Sequence, residues 1–187
     1  MIDSRDPQAV TAAVNDWLQT IVIGLGLCPF ASKPARENSI FTQVVYPETE
    51  EALLEDLEAL LTKMDDTDAA ELETALLVIP ELLADFFDYH QFLNWAQAML
   101  KREGWVGVYQ LASFHPNYVF AGSDDEDVEN FTNRAPFPII HVIREASLER
   151  ALEYFPDIDE VPARNQATMA NLNQAQLQQL FHYLFAD

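Results

Sequence analysis

Apolar residues recur at helical spacing near the start of the chain. Asp6 before Pro7 is typical of a helix start, with Asp6 as N-cap and Pro7 in the first turn. Apolar side chains then follow at intervals of three and four residues, at Val10, Val14, Trp17, Leu18, Ile21 and Leu25. Gly24 and Gly26 end the pattern. We predict an amphipathic helix there, followed by a proline-containing loop over residues 28–38.

Three short segments have the composition of strands. Residues 39–46 are rich in β-branched and aromatic residues, and residues 74–79 are continuously apolar. Residues 106–112 are predicted to form a third strand. A helical pattern lies in each interval between them, and the second begins after Asp85 and stops at Gly104. This alternation favours parallel pairing of successive strands through right-handed crossovers.

Residues 139–144 (IIHVIR) favour a fourth strand, with Ser147 capping the helix that follows and Phe155 on its inner face. One helix from Pro138 through Phe155 is the alternative, because periodicity does not exclude it for a short apolar run. Two further helical patterns close the chain.

Residues 113–138 show no regular period. A structureless stretch of this length is uncommon inside a compact domain and is usually functional or disordered. Its aromatic residues favour order, because such side chains need burial. They are Phe114, Tyr118, Phe120, Phe131 and Phe137. We interpret the segment as an ordered loop that forms part of a site.

Together these elements predict one globular α/β domain spanning residues 1–187. We expect a small, mainly parallel or mixed sheet of about four strands, with helices packed on it and additional helices at both termini. A ferredoxin-like α+β arrangement is the alternative.

The composition narrows the classes of function. The chain has 10 Lys and Arg against 31 Asp and Glu, a formal net charge of -21. Nucleic acid and anionic membrane surfaces are therefore not expected as partners, since both require clustered cations. The chain has no apolar run of the roughly 20 residues that span a bilayer, no secretory signal pattern and only one cysteine. We expect a cytoplasmic protein.

Familiar cofactor motifs are absent from the sequence. Gly24 and Gly26 end a helix, whereas a dinucleotide fingerprint follows a strand and opens a helix. We therefore predict no NAD, FAD or ATP site, no other cofactor and no metal. A metal set of His115, His141 and Glu145 would need His141 and Glu145 one helical turn apart, which a strand over residues 139–144 does not provide.

Three motifs stand out: LCPFA at 27–31, FHPNYVF at 114–120 and NRAPFPIIHVIRE at 133–145. Together they resemble the signature of a bacterial family of conserved hypothetical proteins of unknown function, and the resemblance covers nearly the whole chain. It implies a shared fold and no named reaction. Ala135 and Phe137 stand where the resemblance leads us to expect Ser and Tyr, so two hydroxyl groups are absent from any site here.

The histidines and arginines of these motifs are the main candidates for chemistry. His115 and His141 could transfer protons near neutral pH, or could be hydrogen-bonded structural residues. Arg134 and Arg144 could clamp a carboxylate or phosphate, because a guanidinium binds such groups bidentately. Structural salt bridges to the acidic residues 124–129 are the competing interpretation.

Three other residues complete the predicted site. Asn133 and Tyr118 would orient the ligand. Cys28 could be a nucleophile, although a position after the C-terminus of the first helix disfavours a thiolate; a buried apolar role is the alternative. Two functions follow as hypotheses. One is an enzyme or binder of a small anionic metabolite; the other is a non-catalytic acidic module that docks a basic protein partner.

Overall fold

The chain folds into four strands and seven α-helices over the residues that the computed structural model describes, 2–154 and 157–185. The strands are β1 (Ile40–Val44), β2 (Thr74–Val78), β3 (Tyr109–Phe114) and β4 (Ile139–Arg144). The α-helices are α1 (Pro7–Trp17), α2 (Ser32–Glu37), α3 (Glu50–Asp65), α4 (Phe86–Glu103), α5 (Glu145–Leu152), α6 (Val161–Ala170) and α7 (Gln174–Leu180). A π-helical turn, Leu18–Ile23, continues α1, and 3-10 turns span Val128–Asn133, Ile158–Glu160 and His182–Leu184.

The strands form one mixed sheet in the order β1-β2-β4-β3. β1 and β2 pair in parallel, as predicted, whereas β4 lies antiparallel between β2 and β3. Parallel pairing of the second and third strands is therefore wrong. β4 suits the interior of the sheet because it is apolar on both faces, with Ile139, Ile140 and Val142 fully buried.

The α/β class with a four-stranded mixed sheet is confirmed. The ferredoxin-like alternative is not adopted. Its chain order is β-α-β-β-α-β, whereas this chain runs β1-α3-β2-α4-β3-β4 after its first helices.

The predicted starts of two helices and the predicted end of one are confirmed. The Asp6 carboxylate accepts a hydrogen bond from the backbone N–H of Gln8 and so caps α1. Asp85 caps α4 in the same way. Gly104 ends α4 with a φ of 79°, a left-handed conformation that favours glycine because it has no Cβ.

Two other segments differ from the prediction. The loop over residues 28–38 contains the short helix α2; Pro34 lies in its first turn, where a missing N–H costs nothing. The third strand begins at Tyr109 rather than at residue 106. A turn at Gly107, with a φ of 83°, precedes the strand and leaves Val106 66% exposed.

Residues 139–144 form the predicted strand and not the alternative helix. Because α5 begins at Glu145, Ser147 is not its N-cap; the serine is buried, and its hydroxyl oxygen accepts a hydrogen bond from Arg150. The expected inward position of Phe155 lies outside the described residues.

Helices cover both faces of the sheet, and alternate residues of each strand point to one face or the other. Ala75 and Leu77 of β2 pack under α3 and α4. Leu76 and Val78 point to the opposite face, beneath α1, the π-helical turn and the C-terminal elements. Among the described residues, no helix combines the length and apolar character needed to cross a membrane.

The segment between β3 and β4 is ordered, as its aromatic residues predict. Asn130 is fully buried, and its side chain bonds the backbone N–H of Phe120, the hydroxyl of Ser123 and the backbone carbonyl of Asp124. Phe131 packs against the apolar cluster beneath α1. The bonds of Asn130 hold the segment together, and Phe131 anchors it to the core on this face of the sheet.

Candidate functional site

A cavity of about 600 Å³ opens on the face of the sheet opposite α3 and α4. It lies between the sheet, the end of α1 with its π-helical turn, residues 28–36 and α5. Most of its wall is apolar, formed by side chains such as Trp17, Val22, Leu76, Phe114, Ile143 and Leu148. Its volume falls in the range of small-molecule sites, and π-helical turns are frequent at functional sites.

His141 lines the cavity from the central strand β4. Its neighbours Ile140 and Val142 pack under α3 and α4, so the imidazole points to the other face of the sheet. The Nε2 atom lies 2.6 Å from Oγ1 of Thr74, on the paired strand β2. That hydroxyl also lies 2.7 Å from the carbonyl oxygen of Val142.

These two contacts favour one tautomer of His141. A carbonyl oxygen only accepts hydrogen bonds, so a Thr74 hydroxyl that donates its single proton to Val142 accepts from Nε2–H of His141. The other ring nitrogen, Nδ1, then carries a lone pair. It has no hydrogen-bond partner among the described residues, in which every fully buried side-chain nitrogen or oxygen has one. Nδ1 is therefore open to the cavity.

Burial also keeps His141 neutral. Removal from water lowers the pKa of the imidazole from 6.5 to about 4, because the charged form loses its hydration. Near neutral pH the cavity thus contains an imidazole that accepts a hydrogen bond at Nδ1 and carries no charge.

Cys28 is half-buried in the wall of the cavity. Burial raises the pKa of its thiol, while backbone N–H groups of Phe30 and Ala31 oppose that shift. The residue follows the first helical segment, as predicted, but it also lies just before α2. With burial dominant, Cys28 contributes a thiol rather than a thiolate to the wall.

Cations lie at the exposed edge of the cavity. Lys33 is 3.3 Å from a carboxylate oxygen of Glu37 and 3.7 Å from one of Glu73. Arg150 reaches the other oxygen of Glu73 at 3.9 Å. Arg36 lines the cavity and is exposed, and it makes no ion pair or hydrogen bond within the described part of the chain. Its guanidinium is available to an anion.

Comparison with known proteins places the chain in a family. A family described as a protein of unknown function, DUF1415, matches residues 9–179. The chain belongs to the DUF1415 family. This confirms the predicted membership of a family of unknown function. No curated protein and no solved structure matches the chain.

The second candidate histidine of the DUF1415 chain, His115, lies away from the cavity. His115 is fully buried, and both of its ring nitrogens are bonded to backbone. Nε2 donates to the carbonyl of Leu83 at 3.0 Å, and Nδ1 accepts from the N–H of Asn117 at 3.0 Å. Leu83 has a φ of 58°, uncommon for a side chain with a Cβ, and His115 helps to hold that turn. Burial lowers the pKa of His115, which favours the neutral form of the ring.

Arg134 and Arg144 bind backbone rather than an open site. Arg144 points to the face of the sheet opposite His141, and its guanidinium donates to the carbonyls of Leu72, Met64 and Thr67 and to the hydroxyl of Tyr109. It thereby satisfies carbonyl groups at the C-terminal end of α3.

Arg134 fastens the loop between β3 and β4. Its side chain donates to the carbonyls of Tyr118 and Asp125, and its guanidinium carbon lies 4.7 Å from the ring centre of Phe131. The predicted convergence of two histidines and two arginines therefore does not occur; of the four, only His141 lines the cavity.

Asn133 and Tyr118 are also apart from His141. The Asn133 amide donates to the carbonyl of Ser113, and the residue lines a second hollow of about 430 Å³ beside α6. The ring of Tyr118 packs 5.0 Å from that of Phe86, centre to centre. The described residues hold no group of three or more His, Cys, Asp or Glu side chains that could bind a metal ion.

Several cavity residues were not singled out from the sequence as a site. From the sequence, Thr74 is predicted only as the first residue of a strand and Trp17 only as an apolar residue of the first helix, whereas Phe114 begins one of the three motifs but has no assigned role. Trp17 also donates from Nε1 to the carbonyl of Arg134 at 3.1 Å, which ties the cavity wall to the loop. Their role depends on strand register and on helix placement, which periodicity does not give.

Proposed function

We propose that this protein binds a small amphipathic anion in the cavity around His141. The apolar body of the ligand packs against the wall formed by Trp17, Leu76 and Phe114, and its anionic group lies at the edge beside Arg36. The observation that carries the proposal is a largely apolar cavity of about 600 Å³ that combines an open imidazole nitrogen with an unpaired guanidinium.

Because the chain is strongly acidic, binding of an anion depends on a cation beside the cavity. A formal net charge of -21 repels anions at long range, and ions screen that repulsion beyond about 8 Å at physiological salt. An anionic ligand therefore needs a local cation to offset the field. Arg36 supplies one that forms no ion pair with a carboxylate among the described residues, and its planar fork suits a carboxylate, sulfonate or phosphate.

Binding can be tested with the fluorescent probe 8-anilinonaphthalene-1-sulfonate, an aromatic anion of the proposed class. We expect saturable binding to the native protein. Because the probe also binds other exposed apolar surface, two variants of α5 locate it. Ala151→Trp places an indole in the cavity, whereas Ala146→Trp adds the same ring on an exposed position of that helix outside the cavity.

The expected result is a loss of at least about tenfold in probe affinity for Ala151→Trp and unchanged affinity for Ala146→Trp, because only the first indole excludes the ligand. Equal binding to both folded variants would place the probe elsewhere, for instance on Phe87 and Trp95 of α4, which are 67% and 49% exposed. That outcome would contradict the proposal.

The contribution of the Arg36 charge to binding is tested with a second pair of variants. Arg36→Gln should weaken probe binding about threefold to tenfold at low salt, with less effect as salt is added. Arg164→Gln removes the same charge from an exposed arginine of α6 that does not line the cavity, and should leave affinity unchanged.

The two broader hypotheses remain predictions. Proton transfer by His141 would make the site an enzyme, and docking of a basic protein would make the chain an interaction module.

A further inference from the structure

His141 also specifies the chemistry of the ligand, an inference that rests on the proposed function. The polarity of His141 follows from a row of three hydrogen-bonded groups: the carbonyl of Val142, the hydroxyl of Thr74 and Nε2 of His141. Because the carbonyl end only accepts, each proton in the series points toward Val142. The open end of the series, Nδ1, is consequently an acceptor.

We propose that the ligand presents a hydrogen-bond donor, a hydroxyl or an N–H group, to Nδ1 of His141. With its anionic group at Arg36, the ligand belongs to the class of hydroxylated or amino-bearing aryl or alkyl acids. The donor lies at the sheet and the anion at the edge of the cavity.

Protonation does not reverse this polarity near neutral pH. Desolvation lowers the pKa of His141 to about 4, so the neutral ring dominates at pH 7. An acceptor group on the ligand would then face a lone pair. A purely apolar group would displace water from Nδ1 and leave that nitrogen without a partner, which is the usual basis of strong discrimination for a missing hydroxyl.

The remaining polar groups do not substitute for Nδ1. The hydroxyl of Thr74 is already committed as donor and acceptor within the sheet. Ser147 accepts from Arg150. Cys28 is a weak donor and acceptor whose sulfur already faces two backbone N–H groups. The Glu73 carboxylate also lines the cavity, but it pairs with Lys33 and Arg150 at the edge. His141 is thus the acceptor on the strand wall of the cavity.

The first test is competition against 8-anilinonaphthalene-1-sulfonate with three acids that share the 2-naphthoate ring system and differ at position 6. They are 6-hydroxy-2-naphthoate, 6-methoxy-2-naphthoate and unsubstituted 2-naphthoate. We expect the hydroxy acid to bind about tenfold or more tightly than either of the others. Equal affinities would overturn the donor inference while leaving the proposed function intact. If the probe itself does not bind in the cavity, both fail.

Thr74→Val provides the second test. Removing the hydroxyl takes away the acceptor for Nε2–H and frees the ring to adopt the other tautomer, with Nδ1–H as a donor. The preference for the hydroxy acid over the methoxy acid should then fall to about one or invert. Thr42→Val makes the same change on β1 outside the cavity and should keep the preference. An undiminished preference in Thr74→Val would overturn the inference.

The tautomer can also be read without a ligand. Nitrogen-15 NMR of the protein labelled in its imidazole rings distinguishes the protonated from the unprotonated nitrogen of His141. We expect the proton on Nε2 in the native protein at neutral pH. A proton on Nδ1 would overturn the inference whatever the binding data show.

Discussion

The half-buried imidazole of His141, which lines the cavity, should make the stability of the protein depend on pH in a calculable way. Folding lowers the pKa of this group from 6.5 to about 4, so between those values the unfolded chain binds a proton that the native protein excludes. Stability contributed by the neutral ring is therefore complete above the unfolded pKa. It is lost as pH falls through 6.5 toward 4.

The size of the effect follows from the two pKa values. Within this window the free energy of unfolding changes by about 1.4 kcal/mol per pH unit for one proton. Near either pKa the slope is smaller, because each state is only partly protonated. Lowering the pH from about 7.5 to about 5 should thus remove about 2 kcal/mol through His141 alone.

The perturbation is His141→Gln, which removes the titrating ring and keeps a polar side chain beside Thr74. Urea unfolding of the wild type and the variant at both pH values gives the difference in their free energies of unfolding. Other groups, including the buried His115, contribute equally to both proteins and cancel. We expect the advantage of the wild type over the variant to shrink by about 2 kcal/mol on acidification.

His90→Gln is the matched control, because His90 lies exposed on α4. If the difference in free energy of unfolding between wild type and His141→Gln were independent of pH, His141 would not be a desolvated, neutral ring, and this result would contradict the proposed acceptor in the cavity.

Three further outcomes separate structural residues from the site. Arg144→Met should destabilise the protein by about 2–4 kcal/mol, because it leaves half-buried carbonyls at the end of α3 unpaired, and urea unfolding measures this; the affinity for 8-anilinonaphthalene-1-sulfonate should not change, and a loss of affinity with intact folding would restore Arg144 to the site. His115→Leu should cost about 2–3 kcal/mol in the same assay, since it orphans a buried carbonyl and a backbone N–H; a neutral change would contradict its assignment to the turn at Leu83. Cys28 should react with iodoacetamide more slowly than a peptide cysteine near neutral pH, because burial raises the pKa of its thiol. Mass spectrometry follows the reaction, and a faster rate would indicate a stabilised thiolate.

The elements of this fold could largely be predicted because local signals agree with tertiary structure. Asp6 and Asp85 cap helices in the positions that their sequence context indicates, and the apolar run over residues 74–79 is buried on both faces. The place of β4 in the sheet could not be predicted in the same way. Periodicity identifies a strand but not its neighbours, and β4 inserts between two strands that precede it in the chain.

The site was harder to predict for a related reason. His115, Arg134 and Arg144 have the residue types of an anion site, yet each is used on backbone groups that the fold would otherwise leave unpaired. His141 differs only because strand register places Thr74 beside it and directs its second nitrogen into a cavity. Arg36 became a candidate only once residues 28–36 were seen to line that cavity.

An amide NMR titration of the native protein with 6-hydroxy-2-naphthoate tests directly whether the cavity binds a small amphipathic anion. We expect saturable shifts concentrated at residues 28–36, at Leu76 and around His141, with α3 unaffected. An absence of saturable shifts, or shifts confined to the exposed aromatic residues of α4, would show that the cavity does not bind a small amphipathic anion.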